Sequence, residues 1–348
     1  MEIIDAHLHI RKLSENFAPL HTLAKRLNYD KFAVLSLQCM GDLLQNLCCA
    51  LCKIIYPGMA YAFGGFDYKT KRDFLAQAKN LRAIGFDGIK MLESKPTARK
   101  MLKVAVNDAA YDEFYSYAEE TGFPILFHVA DPPEFWDKEK VPSWALERGW
   151  FYDGSHEPFE RYYGEVDDML AKHPRLRAIF AHFYFLSGDP ERAQKFLDAH
   201  PSVSIDVTAG IEMYENFSKA PQFWREFFIK NRRRIIFGTD STDSTVVGDG
   251  VAPGGKVALD GYAAMEIEFL ARDDEIEIFG DKLHGLGLPE EAMERIFAQN
   301  YQELAGTAPQ PVDAKLLLRE AEFIRGYLSG GKAVQDLDCI IGQIRAKQ

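Results

Sequence analysis

Two patterns of hydrophobic and polar residues alternate along this chain. Short runs of β-branched or aromatic residues, typical of buried strands, are separated by longer amphipathic runs typical of helices. After a first run at residues 3–10, the predicted strands are residues 32–38, 59–66, 88–92, 124–130, 177–183, 203–208 and 235–241. Eight strands, each followed by a helical pattern, predict an α/β chain of the (β/α)8 TIM-barrel type. A doubly wound sheet is the alternative, but such sheets usually have fewer strands and commonly begin with a glycine-rich turn that this chain lacks.

Three segments depart from a minimal barrel. Residues 131–164, after the fifth predicted strand, are rich in aromatic side chains. Residues 241–256, after the eighth, are rich in glycine, which indicates a rim loop that moves when substrate binds. Residues 313–347 indicate one or two helices packing on the barrel or on a neighbouring subunit. The predicted organisation is a barrel domain at residues 1–306 and a C-terminal helical extension at residues 307–348.

The charge of the chain narrows the choice of partners. A formal net charge of −11 over 348 residues argues against nucleic acid and anionic membranes. No apolar run approaches the ~18 residues that span a bilayer. The N-terminus lacks the basic-then-apolar layout of a secretory signal, so we expect a cytoplasmic protein. Its expected partner is a small-molecule substrate, and a homo-oligomer is left open.

Cys49 and Cys52 form a Cys-x-x-Cys within an apolar helical segment, and no second pair lies nearby. A metal or redox site of this type usually has a second pair or polar flanks. We therefore expect the cysteines of this segment to be reduced and to lie on a buried helix face.

The first predicted strand contains the sequence Asp5-Ala6-His7-Leu8-His9. Because side chains on a strand alternate between its faces, we expect Asp5, His7 and His9 on one face and the apolar neighbours on the other. Imidazole is the commonest protein ligand of zinc and related metals, so two histidines on one face form half of a metal site. An isolated His-x-His also occurs by accident on surfaces and in cores, so the rest of the chain decides.

Polar residues recur where four other predicted strands end: Lys90, His128, His182 and Asp240. In a barrel of this type the active site lies at these C-terminal strand ends. A separate structural reason would be needed at each end, which makes one shared site the simpler interpretation. Three neutral imidazoles and a carboxylate can hold a zinc-type ion, which lowers the pKa of a bound water toward ~7. A further imidazole can transfer a proton.

Six stretches make a family resemblance specific: IIDAHLHI, GFDGIKM, PILFHVAD, HPRLRAIFAHF, RIIFGTDS and LPEEAMERIFAQN. They follow one another from residue 3 to about residue 305. With them the chain resembles the amidohydrolase superfamily, in particular the amidohydrolase-2 family of metal-dependent TIM-barrel hydrolases and non-oxidative decarboxylases. The chain departs from the common pattern after the sixth strand, where FYFLSGD replaces a glycine-rich continuation. The departure concerns the substrate class more than the metal site.

The resemblance implies that His7, His9, His128 and Asp240 hold a metal ion. It implies that His182 is a catalytic acid or base, or a ligand of a second ion, and that Asp240 takes a proton from water. The expected reaction is hydrolysis of a small ester, lactone or amide by a metal-activated water. The alternative is non-oxidative decarboxylation of an aromatic or unsaturated acid on the same metal site. A metal-binding protein without turnover is a third hypothesis, against which His182 and Lys90 argue.

The cations near the site and the number of metal ions are further open points. A decarboxylase must bind a carboxylate, for which arginine is well suited, and Arg11 and Arg161 are the candidates. In part of the superfamily, a lysine at the position of Lys90 is carboxylated and bridges two ions. The unperturbed pKa of lysine, ~10.4, opposes that reaction, and the GIKM context resembles relatives with one ion. We predict one divalent ion, with zinc expected, and an uncarboxylated, substrate-facing Lys90; a carboxylated Lys90 would bring a second ion.

Overall fold

The computed structural model describes residues 1–11, 13–208, 210–243, 251–252, 256–257, 259–278 and 281–347. The predicted rim loop at residues 241–256 falls largely on residues 244–250 and 253–255, which lie outside the described residues. Among the described helices, none has both the length and the apolar character that crossing a bilayer requires.

Parallel strands in chain order form the wall of a barrel. They are β1 (Ile4–His9), β2 (Lys31–Leu35), β3 (Ala60–Gly64), β4 (Gly88–Ser94), β5 (Ile125–Val129), β6 (Ala178–Phe180), β7 (Val203–Asp206), β8 (Ile235–Ile236) and β9 (Ser241–Thr242). Each strand from β1 to β7 pairs with the next, and β9 pairs with β1. The backbone N–H of Ala6 donates to the carbonyl oxygen of Phe237 at 3.1 Å. Segments β8 and β9 thus act as one interrupted eighth strand that closes the sheet, and the predicted TIM barrel is confirmed.

Helices surround the strands and continue beyond them. They are α1 (Ala18–Arg26), α2 (Gln45–Ile55), α3 (Phe74–Ile84), α4 (Pro96–Leu102), α5 (Asp112–Thr121), α6 (Ser143–Glu147), α7 (Phe159–Lys172), α8 (Pro190–Ala199), α9 (Ile211–Lys219), α10 (Pro221–Lys230), α11 (Leu259–Ala271), α12 (Glu290–Glu294), α13 (Asn300–Ala305), α14 (Ala314–Arg325) and α15 (Lys332–Ala346). Two antiparallel hairpins, which the sequence pattern did not predict, pair β10 (Val251–Ala252) with β11 (Lys256–Val257), and β12 (Glu275–Ile278) with β13 (Asp281–His284).

Two apolar layers explain why the strands have nearly continuous hydrophobic runs. An inner cluster fills the barrel with side chains such as Leu35, Phe63, Leu126 and Ile236. A larger cluster packs the outward faces of the strands against the helices. Strands of a parallel barrel are buried on both faces, so each residue along them is selected to be apolar unless it has another role. The polar residues at the strand ends are the exceptions.

A bulge in β1 corrects one prediction. The pairing of β1 with β2 shifts between Asp5 and Leu8, so that Ala6 and His7 together oppose one residue. A bulge of this kind reverses which face the following side chains occupy. Ala6 belongs to the inner cluster, whereas Leu8 packs outward against the helices. The expectation that Asp5 shares a face with His7 and His9 is therefore wrong, because the bulge intervenes.

The C-terminal helices pack on the barrel. Both Arg72 guanidinium nitrogens donate to the carboxylate of Glu320 in α14, at 2.9 and 2.7 Å, and Glu320 also accepts from Asn80 of α3 at 2.8 Å. Helix α15 contacts α2. The cysteines of α2 are free and buried there, which confirms the expectation for the Cys-x-x-Cys segment. The division into domains at residue 306 remains a proposal.

The aromatic segment at residues 131–164 packs largely on itself. Phe135 and Tyr152 are buried in a small cluster of their own, against which Trp136 and Trp150 pack. The ring centroids of Trp136 and Tyr152 are 4.6 Å apart. Aromatic rings at such distances stabilise one another beyond their burial, so most of these rings build the rim and do not line a substrate cavity.

Candidate metal centre

Three predicted ligands converge at the C-terminal end of the barrel. His7, His9 and Asp240 can place one ligand atom each within 4.8 Å of one another. Oδ1 of Asp240 lies 3.0 Å from Nε2 of His9 and 3.6 Å from Nε2 of His7. Among the described residues, these three side chains form the group that could hold a metal ion.

The outer contacts of the two histidines orient their rings in a way that suits a cation. Nδ1 of His9 lies 2.8 Å from the carbonyl oxygen of Leu35, which can only accept, so Nδ1 carries the proton. In the neutral ring Nε2 then holds a lone pair and faces another acceptor, Asp240. Burial lowers the pKa of His9, against the opposing effect of Asp240, which favours that neutral ring. Two facing acceptors need a positive charge between them, which a bound metal ion or a proton on Nε2 would supply.

His7 is held in the same way. Its Nδ1 lies 2.9 Å from Oδ2 of Asp206, a buried residue at the end of β7. Burial lowers the pKa of His7 to about 4, and the charge of Lys90 acts in the same direction. Although burial opposes ionisation of Asp206, the hydrogen bond with His7 keeps the pKa of that carboxyl below its usual value. His7 therefore donates from Nδ1 and directs the lone pair of Nε2 toward the centre, where Nζ of Lys90 lies 3.3 Å away.

The backbone at these strand ends adopts left-handed conformations that are uncommon for residues other than glycine. Asp240 has φ 52°, Ala130 has φ 60°, and the four residues 182–185 have φ between 51° and 58°. Such conformations cost of order 1–3 kcal/mol each and cluster at functional sites. Gly238 meets a different constraint, since a Cβ there would lie 2.9 Å from Cβ of His7 and 2.8 Å from Cγ2 of Thr208. The eighth strand thus approaches β1 closely and then turns Asp240 toward the ligands.

His128 and His182 form a hydrogen-bonded chain beside the three ligands. Nδ1 of His128 lies 3.1 Å from Nε2 of His182, and Nε2 of His128 lies 3.2 Å from Oδ1 of Asp131. At the other end, Nδ1 of His182 lies 3.0 Å from the hydroxyl of Thr208, which donates to Asp206 at 2.6 Å. Burial is the main cause that lowers the pKa of both imidazoles, that of His182 to about 4. The role of His128 as a ligand therefore rests on the family resemblance, and that of His182 as a proton-transfer group stays a prediction.

Lys90 projects from β4 into the barrel. It is buried, and its Nζ lies 3.3 Å from Nε2 of His7. Burial lowers its pKa to about 8, although the carboxylates of Asp240 and Asp206 act against that shift. Nε2 of His7 is also the atom that would bind a metal, and the substrate-facing role of Lys90 stays a prediction.

The two predicted arginines differ in their position: Arg161 lies on an outer helix, whereas burial and, to a lesser extent, the charge of Arg11 lower the pKa of His9. Arg161 is exposed on α7, and its Nε donates to Glu165 at 3.1 Å. Arg11 is exposed just beyond β1, and its backbone N–H donates to Asp243 at 2.6 Å. Neither guanidinium has a described contact with the converging ligands, so their substrate-binding roles stay predictions.

Sequence reasoning missed Asp206, Thr208 and Asp131, the acceptors that orient the histidines. A signal was present: Asp206 and Thr208 end the predicted strand VSIDVT, and Asp131 follows His128 in PILFHVAD. Polar residues at strand ends were examined for metal ligands, whereas these residues act one contact further out.

A cavity of about 300 Å3 adjoins His182 and Thr208. Its apolar lining includes Phe185 and Met213, and its polar lining includes the carboxyl groups of Glu134 and Glu212. Burial is the main cause that raises the pKa of Glu212, with the charge of Glu134 adding to it. The cavity approaches the candidate ligands at His182, whose ring centroid lies 5.6 Å from that of His7.

Comparison with known protein families supports a metal-dependent enzyme. The family model for Amidohydrolase matches residues 4–301. The chain belongs to the amidohydrolase family. Members of this family are enzymes that usually depend on a metal ion, and the resemblance drawn from the six motifs is confirmed. Among curated proteins, none matches the sequence.

Solved structures share the amidohydrolase fold at low sequence identity. A protein described as a probable 2-pyrone-4,6-dicarboxylic acid hydrolase from Acinetobacter baumannii is 16% identical, with a TM-score of 0.55, over 88% of this chain and 100% of that chain. A 4-oxalomesaconate hydratase from Rhodopseudomonas palustris is 12% identical, with a TM-score of 0.51, over 94% of this chain and 100% of that chain. An uncharacterised TIM-barrel protein from Bordetella bronchiseptica is 13% identical, with a TM-score of 0.53, over 88% of this chain and 99% of that chain. At these identities the likeness concerns the fold alone.

Proposed function

We propose that this amidohydrolase hydrolyses a small ester, lactone or amide with the help of one divalent ion, for which zinc is the expected choice. His7, His9 and Asp240 would hold the ion. The observation that carries this proposal is the pair of facing acceptors, Nε2 of His9 and Oδ1 of Asp240, 3.0 Å apart. A bound divalent ion supplies Lewis-acid polarisation of a carbonyl oxygen and lowers the pKa of a water molecule.

The chain's own residues supply the proton transfers. The neighbouring histidines hold the pKa of Asp240 well below its usual value although burial opposes it, so this carboxyl group is ionised. Its position beside the two histidines makes it the proposed acceptor of a proton from water. Thr208 contacts Nδ1 of His182 at 3.0 Å and donates to Asp206, while Nε2 of His182 lies 3.1 Å from Nδ1 of His128 and shares a proton with it. Nε2 of His182 can take up a proton and pass it to a leaving group. Both groups are already oriented before substrate binds, which limits the reorganisation that the reaction requires.

The cavity beside His182 favours an uncharged substrate. Glu134 and Glu212 line it, and Arg192, the one cation among its described lining residues, forms a bidentate pair with Glu160 at 2.9 and 2.7 Å. A carboxylate entering here would meet like charge, whereas an ester, lactone or amide would not. The alternative of a decarboxylase draws its support from Lys90, the buried amine that could bind a carboxylate at the centre.

A substrate screen with three variants tests the proposal. The purified protein is assayed for metal content and for turnover of neutral lactones, esters and amides alongside aromatic carboxylic acids. We expect turnover of a neutral substrate. Asp240→Asn should lose both metal and activity, while His182→Asn should keep the metal and lose ~10²–10⁴-fold in rate, as proton-transfer groups do.

The matched control is His21→Asn, which removes a histidine from α1 and should change neither property. Release of CO2 from an acid, with no turnover of neutral compounds, would establish the decarboxylase alternative. Loss of metal from His182→Asn would make His182 a ligand.

A further inference from the structure

A second cavity lies on the outer rim, away from His182. It has a volume of about 680 Å3 and lies between α4 and the segment at residues 153–157. Arg99, Lys100 and Lys103 of the α4 region line one wall, and Ser155 and Glu157 line the other. The proposed reaction makes no use of this cavity.

The cavity is cationic although the chain as a whole carries −11. Arg99 shares the carboxylate of Glu165 with Arg161, at N–O distances of 3.2 and 3.1 Å. Lys100 donates to the hydroxyl of Ser155 at 2.8 Å and has no carboxylate partner among the described residues. Lys103 is exposed and likewise has no ion pair among the described residues. Glu157 lines the cavity 3.9 Å from Arg99, and Asp153 accepts from Ser155 at 2.5 Å behind it, so Arg99, Lys100 and Lys103 exceed these two carboxylates by one positive charge.

Hydrogen bonds connect both walls of the cavity to Asp131. Lys95, directly before α4, donates to both carboxylate oxygens of Asp131, at 2.5 and 2.7 Å. Tyr152, directly before the opposite wall, donates its hydroxyl to the same carboxylate. Asp131 in turn lies 3.2 Å from Nε2 of His128. A ligand that draws the walls together would therefore act on the residue that orients His128.

We infer that this cavity binds a multivalent, phosphate-bearing small molecule. Arginine and lysine side chains spread over one helical turn match several oxygens at once, and a phosphate group carries about −1.5 to −2 at neutral pH, against −1 for a carboxylate. The volume exceeds what a single monovalent ion fills. The site is separate from the proposed catalytic centre and does not depend on the reaction assigned there.

Calorimetric titration with inorganic phosphate, in a constant chloride background, tests the inference on the full chain. Wild-type protein should bind phosphate saturably, and Lys100→Gln/Lys103→Gln should weaken that binding roughly tenfold or more, since it removes two charge-assisted contacts. Lys315→Gln removes an exposed lysine from α14 and should bind phosphate as wild type does. Trp150 gives a second readout, because Nζ of Lys95 lies 4.5 Å from its ring centre, so its fluorescence should change with the same saturation curve.

Asp240→Asn distinguishes this cavity from the metal centre. We expect Asp240→Asn to bind phosphate as wild type does. Phosphate binding that is lost in Asp240→Asn and kept in the double lysine variant would overturn the inference. Absence of saturable binding in the wild type would overturn it as well. Because Lys100 and Lys103 are exposed, the double variant should keep the wild-type circular dichroism spectrum, and Lys103→Gln alone should give an intermediate affinity.

Discussion

At the scale of single residues, Asp206 is the carboxylate that orients the side chains of the candidate metal centre, although it would bind no ion itself. Oδ2 accepts from His7, while Oδ1 accepts from the backbone N–H of His182 at 2.7 Å and from the hydroxyl of Thr208. One carboxylate thus fixes the proton position of His7, a candidate ligand, and supports the strained turn that begins at His182. Neutral side chains of the same shape cannot satisfy all of these donors.

We predict that Asp206→Asn lowers metal affinity ~10–100-fold, the usual effect of removing an outer partner of a ligand. The asparagine oxygen would keep the donors of residues 182 and 208, which leaves its NH2 group facing Nδ1–H of His7. His7 would then shift its proton to Nε2 and lose the lone pair that binds metal. Competition with a chromogenic chelator measures the affinity. Asp189→Asn, at the N-terminus of α8, is the matched control, and equal affinity in both variants would contradict the argument.

The second residue-scale prediction is one divalent ion per chain, with Lys90 uncarboxylated. Lys90 contacts His7 directly, and the nitrogens of His128 and His182 face each other at 3.1 Å in a hydrogen bond, which leaves no open pair for a second ion there. Elemental analysis of the purified protein should give a stoichiometry near one. Growth with 13C-bicarbonate should give no carbamate signal in the NMR spectrum. A ratio near two, or a carbamate on Lys90, would show the two-ion arrangement.

At the scale of elements, the strands were predictable and their irregularities were not. A barrel strand is buried on both faces, so its apolar run is visible in the sequence, and His7, His9 and Asp240 were found as polar exceptions at strand ends. The bulge in β1 depends on the pairing of β1 with β2, which no local pattern encodes. The same limit applies to the left-handed turn at His182, because several neighbouring segments together impose that backbone conformation.

A similar irregularity in β4 holds a buried carboxyl group, which should make the stability of the protein depend on pH. The pairing of β4 with β5 shifts between Met91 and Ser94, and Glu93 in that interval is fully buried. Tyr68 donates to one of its carboxylate oxygens at 2.8 Å, and the other has no partner among the described residues. Burial raises the pKa of Glu93 to about 7. Between pH ~4.3, where an unfolded glutamate titrates, and pH 7, the folded state holds a proton that the unfolded state has lost, so stability falls as the pH rises.

The substitution Glu93→Gln should remove this loss of stability at high pH. The amide oxygen can still accept from Tyr68, so at pH 5 the free energy of unfolding should be close to that of wild type. At pH 8 the variant should be more stable by an amount on the order of 1–3 kcal/mol. Urea unfolding at both pH values measures this difference. Exposed Glu113→Gln, on α5, should show no such dependence, and an equal effect of Glu93→Gln at both pH values would rule the explanation out.

At the scale of the whole molecule, the barrel and the C-terminal helices share one apolar core. Helix α2 is buried along residues 45–53, because α15 covers the side that the strands do not. The sequence indicated both helical segments, but it left open whether α14 and α15 pack on the barrel or on another subunit. That choice depends on polar contacts such as Arg72 with Glu320, which join residues far apart in the chain.

The last prediction concerns that contact and uses two glutamates of α14 that lie two residues apart. Glu320 is buried against Arg72 and Asn80, whereas Glu322 pairs with Arg325 at the surface, with an N–O distance of 3.1 Å. Glu320→Ala should lower the free energy of unfolding by about 1–3 kcal/mol, because it leaves a half-buried guanidinium with its weaker partner Asp67, 3.4 Å away. Glu322→Ala should cost less than ~0.5 kcal/mol, as exposed pairs do. Both effects are measured by urea unfolding of the full chain. Equal destabilisation by the two variants would mean that α14 is held by its apolar face alone.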